Sequence, residues 1–143
     1  MKNFSAFLIL IFSINYVVAD DLSNNIYTKI NSSNLTSTQK IISLKYLALY
    51  SSQFACALGP GGGDSENCNL NDKKLIKNDI PQMTNNDYTK STKYANKLFN
   101  SAKLPSGSGD FYLLRCNFEK LAEQVAAKNK INSKSHVNEW CND

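Results

Sequence analysis

The segment from Ser37 to Leu58 reads STQKIISLKYLALYSSQFACAL and is the most informative part of this chain. Its apolar residues recur every three or four positions, and further tyrosines, leucines and a phenylalanine widen the apolar face until it nearly surrounds a helix. A helix of that kind belongs at the centre of a bundle. Thr36 or Ser37 is predicted to cap its start, and Gly59, in a left-handed conformation before Pro60, is predicted to end it.

Shorter apolar patterns on both sides of this segment predict further helices. A weak helix is expected over residues 22–30, and a short one over residues 71–79, where Pro81 stops it. Thr84 and Asp87 form a near capping box, which predicts the start of a clear helix at this point.

Asp110 is predicted to cap the helix with the most regular amphipathic pattern in the chain. Its charged residues are assigned to a solvated outer face: Arg115, Glu119, Lys120, Glu123 and Lys128. One last helical turn is expected over residues 135–141. Because no segment shows the alternating pattern of a β-strand, the sequence predicts an all-α fold, a small disulfide-stapled bundle of five or six helices.

Residues 1–19 have the features of a signal peptide, with Lys2 ahead of an apolar run and small residues before two aspartates. Cleavage is predicted after Ala19, which leaves residues 20–143 as a single secreted domain. The chain is 42% hydrophobic and 20% charged, as is usual for globular proteins. No later segment is expected to span a membrane, because the longest apolar one contains Lys45 and several polar residues. The mature protein is predicted to be soluble, extracellular and monomeric.

The charged residues exclude several classes of function. Sixteen Lys and Arg residues against twelve Asp and Glu give a net charge of +4, which is too small and too scattered for a nucleic-acid groove. The chain has one histidine and one arginine, which excludes two-histidine nucleases, multi-histidine zinc sites and arginine-based phosphate clamps. No nucleic-acid partner, metal or cofactor is expected.

An exported chain with four cysteines is expected to form two disulfides. Three pairings are possible, and the short, glycine-containing segment between Cys56 and Cys68 favours a bond between them, which leaves Cys116 to pair with Cys141. A zinc site is not favoured, because no two cysteines lie two to four residues apart. Asn31 and Asn34 each begin an Asn-X-Ser/Thr sequon, so both are predicted glycosylation acceptors in a eukaryotic protein.

No motif specifies a catalytic site. The glycine-rich run over residues 59–64 lacks the preceding strand and the following Lys-Ser/Thr of a phosphate-binding loop, and we interpret it as a connector. His136 has no thiol to activate if all cysteines are paired, so it is expected to be a surface or cap residue. The glutamates offer no specific pair. The protein is therefore expected not to be an enzyme.

Tyrosine, phenylalanine and leucine are abundant on the predicted helix faces, and disulfides could hold those faces apart around a cavity. The residues expected to line such a cavity are Leu47, Tyr50, Phe54, Leu98, Phe99, Phe118 and Leu121. The alternative is that the same side chains pack against each other and leave no cavity.

The middle of the chain has, in order, a helix, Cys56, a loop, Cys68, Leu75 and Ile80-Pro81. This order resembles the insect chemosensory proteins, which are small secreted helical carriers of hydrophobic ligands. Tyr88 and Ser91 stand where the last two cysteines of that family would be, and Cys116 and Cys141 have no counterpart in it. The resemblance implies a helical carrier with a local bridge from Cys56 to Cys68.

Together, these features predict a secreted carrier of a small hydrophobic ligand, fatty-acid-like or semiochemical-like. The alternative is a secreted protein-protein interaction factor, similar to an effector, venom component or cytokine, with a packed interior and an exposed apolar patch.

Overall fold

The structure is a computed structural model that describes residues 18–59, 68 and 70–142. The predicted leader, apart from its last two residues, and most of the glycine-rich connector lie outside these ranges. The described part contains six helices and no strand, which confirms the predicted all-α fold. The helices are α1 (Val18–Asn31), α2 (Ser37–Leu58), α3 (Asp72–Asp79), α4 (Asn85–Asn100), α5 (Ser108–Lys128) and α6 (Val137–Trp140).

Helix α2 is the central element, as its composition predicts. Every residue from 41 to 49 is buried, because α2 packs most extensively against α5 and also against α4, α3 and α1. Large side chains from the surrounding helices complete one hydrophobic core. The fully buried ones include Ile30, Ile76, Phe99, Phe111, Leu114 and Phe118.

Two capping boxes set the starts of α2 and α4, and they are joined to each other. The Thr36 hydroxyl accepts a hydrogen bond from the backbone N–H of Gln39 at 3.1 Å, and Thr84 does the same for Asp87 at 3.1 Å. The Gln39 side-chain amide also donates to the Asp87 carboxylate at 3.1 Å. This bond fixes the start of α4 against the start of α2.

Two predictions about helix ends are wrong. Gly59 ends α2 in an extended conformation (φ −75°), because its N–H bonds to the carbonyl of Cys56 at 3.3 Å and no left-handed residue is needed. Asp110 does not cap α5. The Phe111 N–H bonds to the carbonyl of Gly107, so Gly107 occupies the cap position and Asp110 lies in the first turn. Its carboxylate still lies near the positive end of the helix dipole there.

The disulfides join Cys56 to Cys68 and Cys116 to Cys141, which is the pairing that the sequence spacing favours. The Cα atoms are 5.5 Å apart in the first bridge and 5.1 Å in the second. The first bridge closes the segment after α2. The second fastens the C-terminal segment, residues 129–142, to the middle of α5.

By length and composition alone, α2 is the one helix in the described ranges that could cross a membrane. A buried core helix passes the same test, so the expectation that no later segment spans a membrane stays a prediction. In the bundle, 61% of its most apolar window is buried against protein, as in the core helix of a soluble domain.

Candidate functional site

Lys45 lies in the middle of α2 with only 3% of its side chain exposed. Its ammonium group is 2.7 Å from an oxygen of Glu119 and 3.1 Å from one of Asp79, and it donates to the carbonyl of Lys134 at 2.6 Å. An ammonium group has three protons, and each of them has an acceptor here. We call Lys45, Asp79, Glu119 and His136 the Lys45 cluster.

Glu119 was predicted to lie on the solvated face of α5, and the structure shows that this is wrong, since it is 1% exposed. One carboxylate oxygen accepts from both the Lys45 ammonium and the backbone N–H of His136, the latter at 3.0 Å. The C-terminal segment folds over this side of α5 and excludes water from it. Within the described ranges, the second oxygen of Glu119 has no hydrogen-bond partner.

His136 occupies the N-cap position of α6, but its ring makes no capping bond. Nε2 instead lies 2.8 and 2.9 Å from the two oxygens of Asp79, and Nδ1 lies 3.4 Å from a carboxylate oxygen of Glu139. Of the two expectations for His136, the cap position is confirmed, and the surface position is corrected to a partly buried partner of Asp79. The backbone of Asp79 also contacts the C-terminal segment, since its carbonyl accepts a hydrogen bond from the backbone N–H of Lys134 at 3.0 Å.

The cluster binds the C-terminal segment to three helices at once. Lys45 comes from α2, Asp79 from the end of α3 and Glu119 from α5, while His136 belongs to the segment itself. Buried charges are costly unless they are paired and hydrogen-bonded, so this arrangement specifies one position for the segment. Within the residues that the structure covers, no group of three His, Cys, Asp or Glu side chains has the arrangement of a metal site.

The same segment contains Trp140, which is partly buried and packs against the edge of the core. The Trp140 indole stacks on the His136 ring, with centroids 4.8 Å apart and planes at 20°. The Arg115 guanidinium lies 5.3 Å from the indole centroid and 4.9 Å from the centroid of Tyr112. Tyr112 and the adjacent Leu113 are 39% and 40% exposed. We call Tyr112, Leu113, Arg115 and Trp140 the Trp140 surface.

A shallow cleft of about 260 Å³ lies within the Trp140 surface. It is lined by Gly109, Tyr112, Leu113, Cys116, Trp140 and Cys141. The disulfide forms part of its wall, and Arg115 is held below by α2, donating to the Ser52 hydroxyl at 3.3 Å. The residues that line the cleft are therefore held in place by the disulfide and by the central helix.

The seven residues predicted to bind a ligand are only partly brought together. Leu47, Phe99 and Phe118 are fully buried in the core. Phe99 lies 5.3 Å from the Tyr50 ring and 6.0 Å from the Phe54 ring, measured between centroids. Phe54 in turn stacks on Phe111 at 5.1 Å, a partner that the prediction did not include. These rings fill the space between α2, α4 and α5 with their own contacts.

Two of the seven lie elsewhere. Leu121 lines a cleft beside α1, and Leu98 lines an open groove of about 420 Å³ between α1 and the end of α4. The apolar part of the groove is formed by Leu22, Ile26, Leu98 and Ala102, together with Val18 from the end of the predicted leader, and Lys29 and Lys103 are among its polar residues. Ligand binding by any of the seven residues stays a prediction.

The sequence contains one signal for the Lys45 cluster. Lys45 is a charged residue inside the apolar run of residues 41–49, and a lysine at the centre of a buried helix requires carboxylate partners. It does not indicate which carboxylates, because Asp79 and Glu119 lie 34 and 74 positions away. The predicted sequon residues Asn31 and Asn34 are both exposed, at the end of α1 and in the turn that follows.

Comparison with protein-family models, with curated proteins and with solved structures gave no match to this chain.

Proposed function

We propose that this protein is a secreted interaction factor that docks another protein through the Trp140 surface. The proposal depends on one observation. The partly buried Trp140 and Arg115 are grouped with Tyr112 beside the exposed Leu113. Tryptophan, tyrosine and arginine are the residues most enriched among those that dominate the energy of protein interfaces.

The contacts that hold the Trp140 surface rigidly in place support the same proposal. The Cys116–Cys141 disulfide and the Lys45 cluster hold the backbone of the segment, and the His136 ring supports the indole. A surface that is already ordered loses little conformational entropy on binding, so more of its contact energy appears as affinity. Secretion is part of the proposal, and two disulfides are consistent with an oxidising compartment.

The test is site-specific photo-crosslinking in the extracellular fluid of the source organism. A photoreactive residue replaces Leu113 in one sample and Leu75, which is 38% exposed on α3, in the control. We expect a discrete adduct from position 113 that is lost when Trp140→Ala is added. The same adducts from both positions, or none from position 113, would count against the proposal.

The groove beside Leu98 supports a second candidate, the carrier that the sequence predicts. Its volume of about 420 Å³ is in the range of small-molecule sites. An acyl chain could lie along Leu22, Ile26 and Leu98, with an anionic head near Lys29 or Lys103. This position differs from the predicted one, of which it retains only Leu98.

A displacement assay with a fluorescent fatty-acid probe tests the carrier. Ala102→Trp fills the groove and should abolish saturable binding, whereas Ala127→Trp, on the exposed side of α5, should leave it unchanged. No saturable binding by the unmodified protein at micromolar probe, or equal losses in the two variants, would exclude this candidate.

A further inference from the structure

A second charged feature is formed by lysines along α3 that do not belong to the Lys45 cluster. A cleft of about 320 Å³ is formed by the first two turns of α3 and by the turn that leads into α4. It is lined by Asn71, Lys73, Lys74, Lys77, Met83 and Asn85, and we call it the lysine cleft. Its lining therefore contains three ammonium groups and no carboxylate.

The acidic residues nearest in sequence are engaged elsewhere. Asp72 accepts from the Gln53 amide at 3.0 Å, and Asp79 belongs to the Lys45 cluster. Asp87 accepts from the Thr84 backbone N–H and from Gln39, both at 3.1 Å. These three carboxylates therefore have hydrogen-bond partners of their own, and none of them lines the lysine cleft.

The lysines are positioned by uncharged partners. Lys77 donates to the carbonyl of Met83 at 2.6 Å, and the Lys73 ammonium lies 5.6 Å from the centroid of the Tyr88 ring. Within the described ranges, no ion pair involves Lys73, Lys74 or Lys77. Their positive charge is thus concentrated at one cleft whose lining holds no carboxylate.

The remaining lining residues offer hydrogen-bond donors and an apolar wall. The side-chain oxygen of Asn71 already accepts from the Lys74 backbone N–H at 3.1 Å, which leaves its NH₂ group available to a ligand. Asn85 supplies a second amide, and the buried Met83 closes the back of the cleft. Ammonium and amide N–H groups together match the oxygens of a tetrahedral anion.

We propose that the lysine cleft binds an oxyanion, either free phosphate or sulfate or the same group carried as a monoester on a small molecule. The volume of about 320 Å³ is sufficient for a small ligand. This site is independent of the Trp140 surface and of the groove beside Leu98, so its failure would leave both proposed functions unaffected.

Two-dimensional NMR of the ¹⁵N-labelled full domain tests the proposal. Inorganic phosphate, inorganic sulfate, glucose 6-phosphate and glucose 6-sulfate are titrated separately at low salt. We expect saturable shifts confined to residues 71–77 and 83–85, weakening as the salt concentration rises. Saturation by the inorganic ions alone would identify a free oxyanion, and tighter binding of an ester would identify a monoester.

The variant Lys73→Gln/Lys74→Gln should weaken binding about tenfold or more, and it retains Lys77 and its bond to the turn. Lys90→Gln/Lys93→Gln is the control, because it removes the same charge from exposed positions on α4 outside the cleft. Thermal unfolding verifies that both variants fold. Shifts spread over lysines across the whole surface, linear titrations without saturation, or equal losses in the two variants would overturn the proposal.

Discussion

Lys45 shows how one buried charge fixes a distant segment of the chain. The residue lies in the central helix, yet its three acceptors come from α3, α5 and the C-terminal segment. Burying such a cluster contributes little net stability compared with a well-packed apolar core, but it tolerates only one arrangement of its members. We therefore interpret the cluster as the set of contacts that fixes the position of the C-terminal segment, and with it Trp140.

We expect Lys45→Met to destabilise the fold by about 3 to 5 kcal/mol, because it leaves Asp79 and Glu119 buried without their cation. Urea unfolding at pH 7 measures the change. Lys40→Met is the control on the same helix, since the Lys40 ammonium donates to the carbonyl of Asn31 and, in the described part of the chain, forms no ion pair. The triple variant Lys45→Met/Asp79→Asn/Glu119→Gln should recover part of the loss. A single-variant cost below about 1 kcal/mol would contradict this interpretation of the cluster.

Asp72 gives a prediction about pH. Burial raises the pKa of its carboxyl to about 6, even though the hydrogen bond from Gln53 acts in the opposite direction. In the unfolded chain this carboxyl has its ordinary pKa of about 3.9, so the folded state holds the proton more tightly. This group therefore reduces the free energy of unfolding as pH rises from about 4 to about 6, and the loss persists at higher pH.

Asp72→Asn should accordingly raise the free energy of unfolding at pH 7. The full shift of the pKa would correspond to about 3 kcal/mol, and contact with solvent reduces the expected gain to about 1 kcal/mol. Denaturant unfolding at pH 7 and below pH 4 should show the gain at the higher pH only. Asp110→Asn is the control, since Asp110 is exposed in the first turn of α5. A variant less stable than the unmodified protein at pH 7 would refute the prediction.

At the scale of elements, the helices are held together by bonds between their ends as well as by packing. Gln39 links the capping boxes of α2 and α4 through Asp87. Burial alone would raise the pKa of Asp87, but hydrogen bonds from Thr84 and Gln39 outweigh that effect and leave the pKa below its ordinary value. The bonds to the ionised Asp87 therefore stabilise the fold above the pKa of an unfolded aspartate, and this contribution is lost on acidification through the folded value.

The two disulfides are expected to differ in their contribution to stability. Cys116 and Cys141 are 25 positions apart, and Cys56 and Cys68 are 12 positions apart. Because the bridge with the longer loop removes more entropy from the unfolded chain, it should stabilise the fold by about 0.6 kcal/mol more. Loss of the longer closure would also weaken the contact of Trp140 with the Arg115 guanidinium on α5.

Cys116→Ser/Cys141→Ser should therefore lower the melting temperature more than Cys56→Ser/Cys68→Ser. Calorimetry of the two double variants gives the ranking, and the opposite order would contradict it. Mass spectrometry of unreduced proteolytic peptides tests the pairing itself. A peptide that joins Cys56 to Cys116 or to Cys141 would refute the connectivity.

At the scale of the whole molecule, stability should be graded outward from α2. Residues 41–49 are buried on all sides, whereas the C-terminal segment makes few backbone hydrogen bonds and is held by the Lys45 cluster and one disulfide. Amides in the most buried helix exchange only when the whole domain unfolds, and peripheral segments open locally.

Hydrogen exchange followed by mass spectrometry should therefore show the slowest amides in residues 41–49. Amides in residues 134–141 should exchange faster, and Lys45→Met should accelerate them beyond the change in global stability. Slower exchange in α4 than in α2, or uniform acceleration by Lys45→Met, would show that the segment is not a separate unit held by the cluster.

Much of the helical framework is determined by the sequence alone. The bounds of α2, its central position and the capping box that starts α4 follow from residues within a few positions of each other, because helical periodicity and capping are local. The favoured cysteine pairing also depends on the number of residues between the two partners. These features depend on spacing, and spacing is visible in the sequence.

Only the tertiary structure decided the placement of Glu119, His136 and the seven predicted ligand residues. The periodicity of α5 assigns Glu119 to the surface, and it cannot indicate that residues 129–142 fold back over that side. Lys45 and Glu119 are 74 positions apart, so their contact arises from the packing of whole helices. The same packing brings Phe54 against Phe111 and leaves Leu98 in a separate groove, because the contacts of a side chain depend on which helix lies beside it.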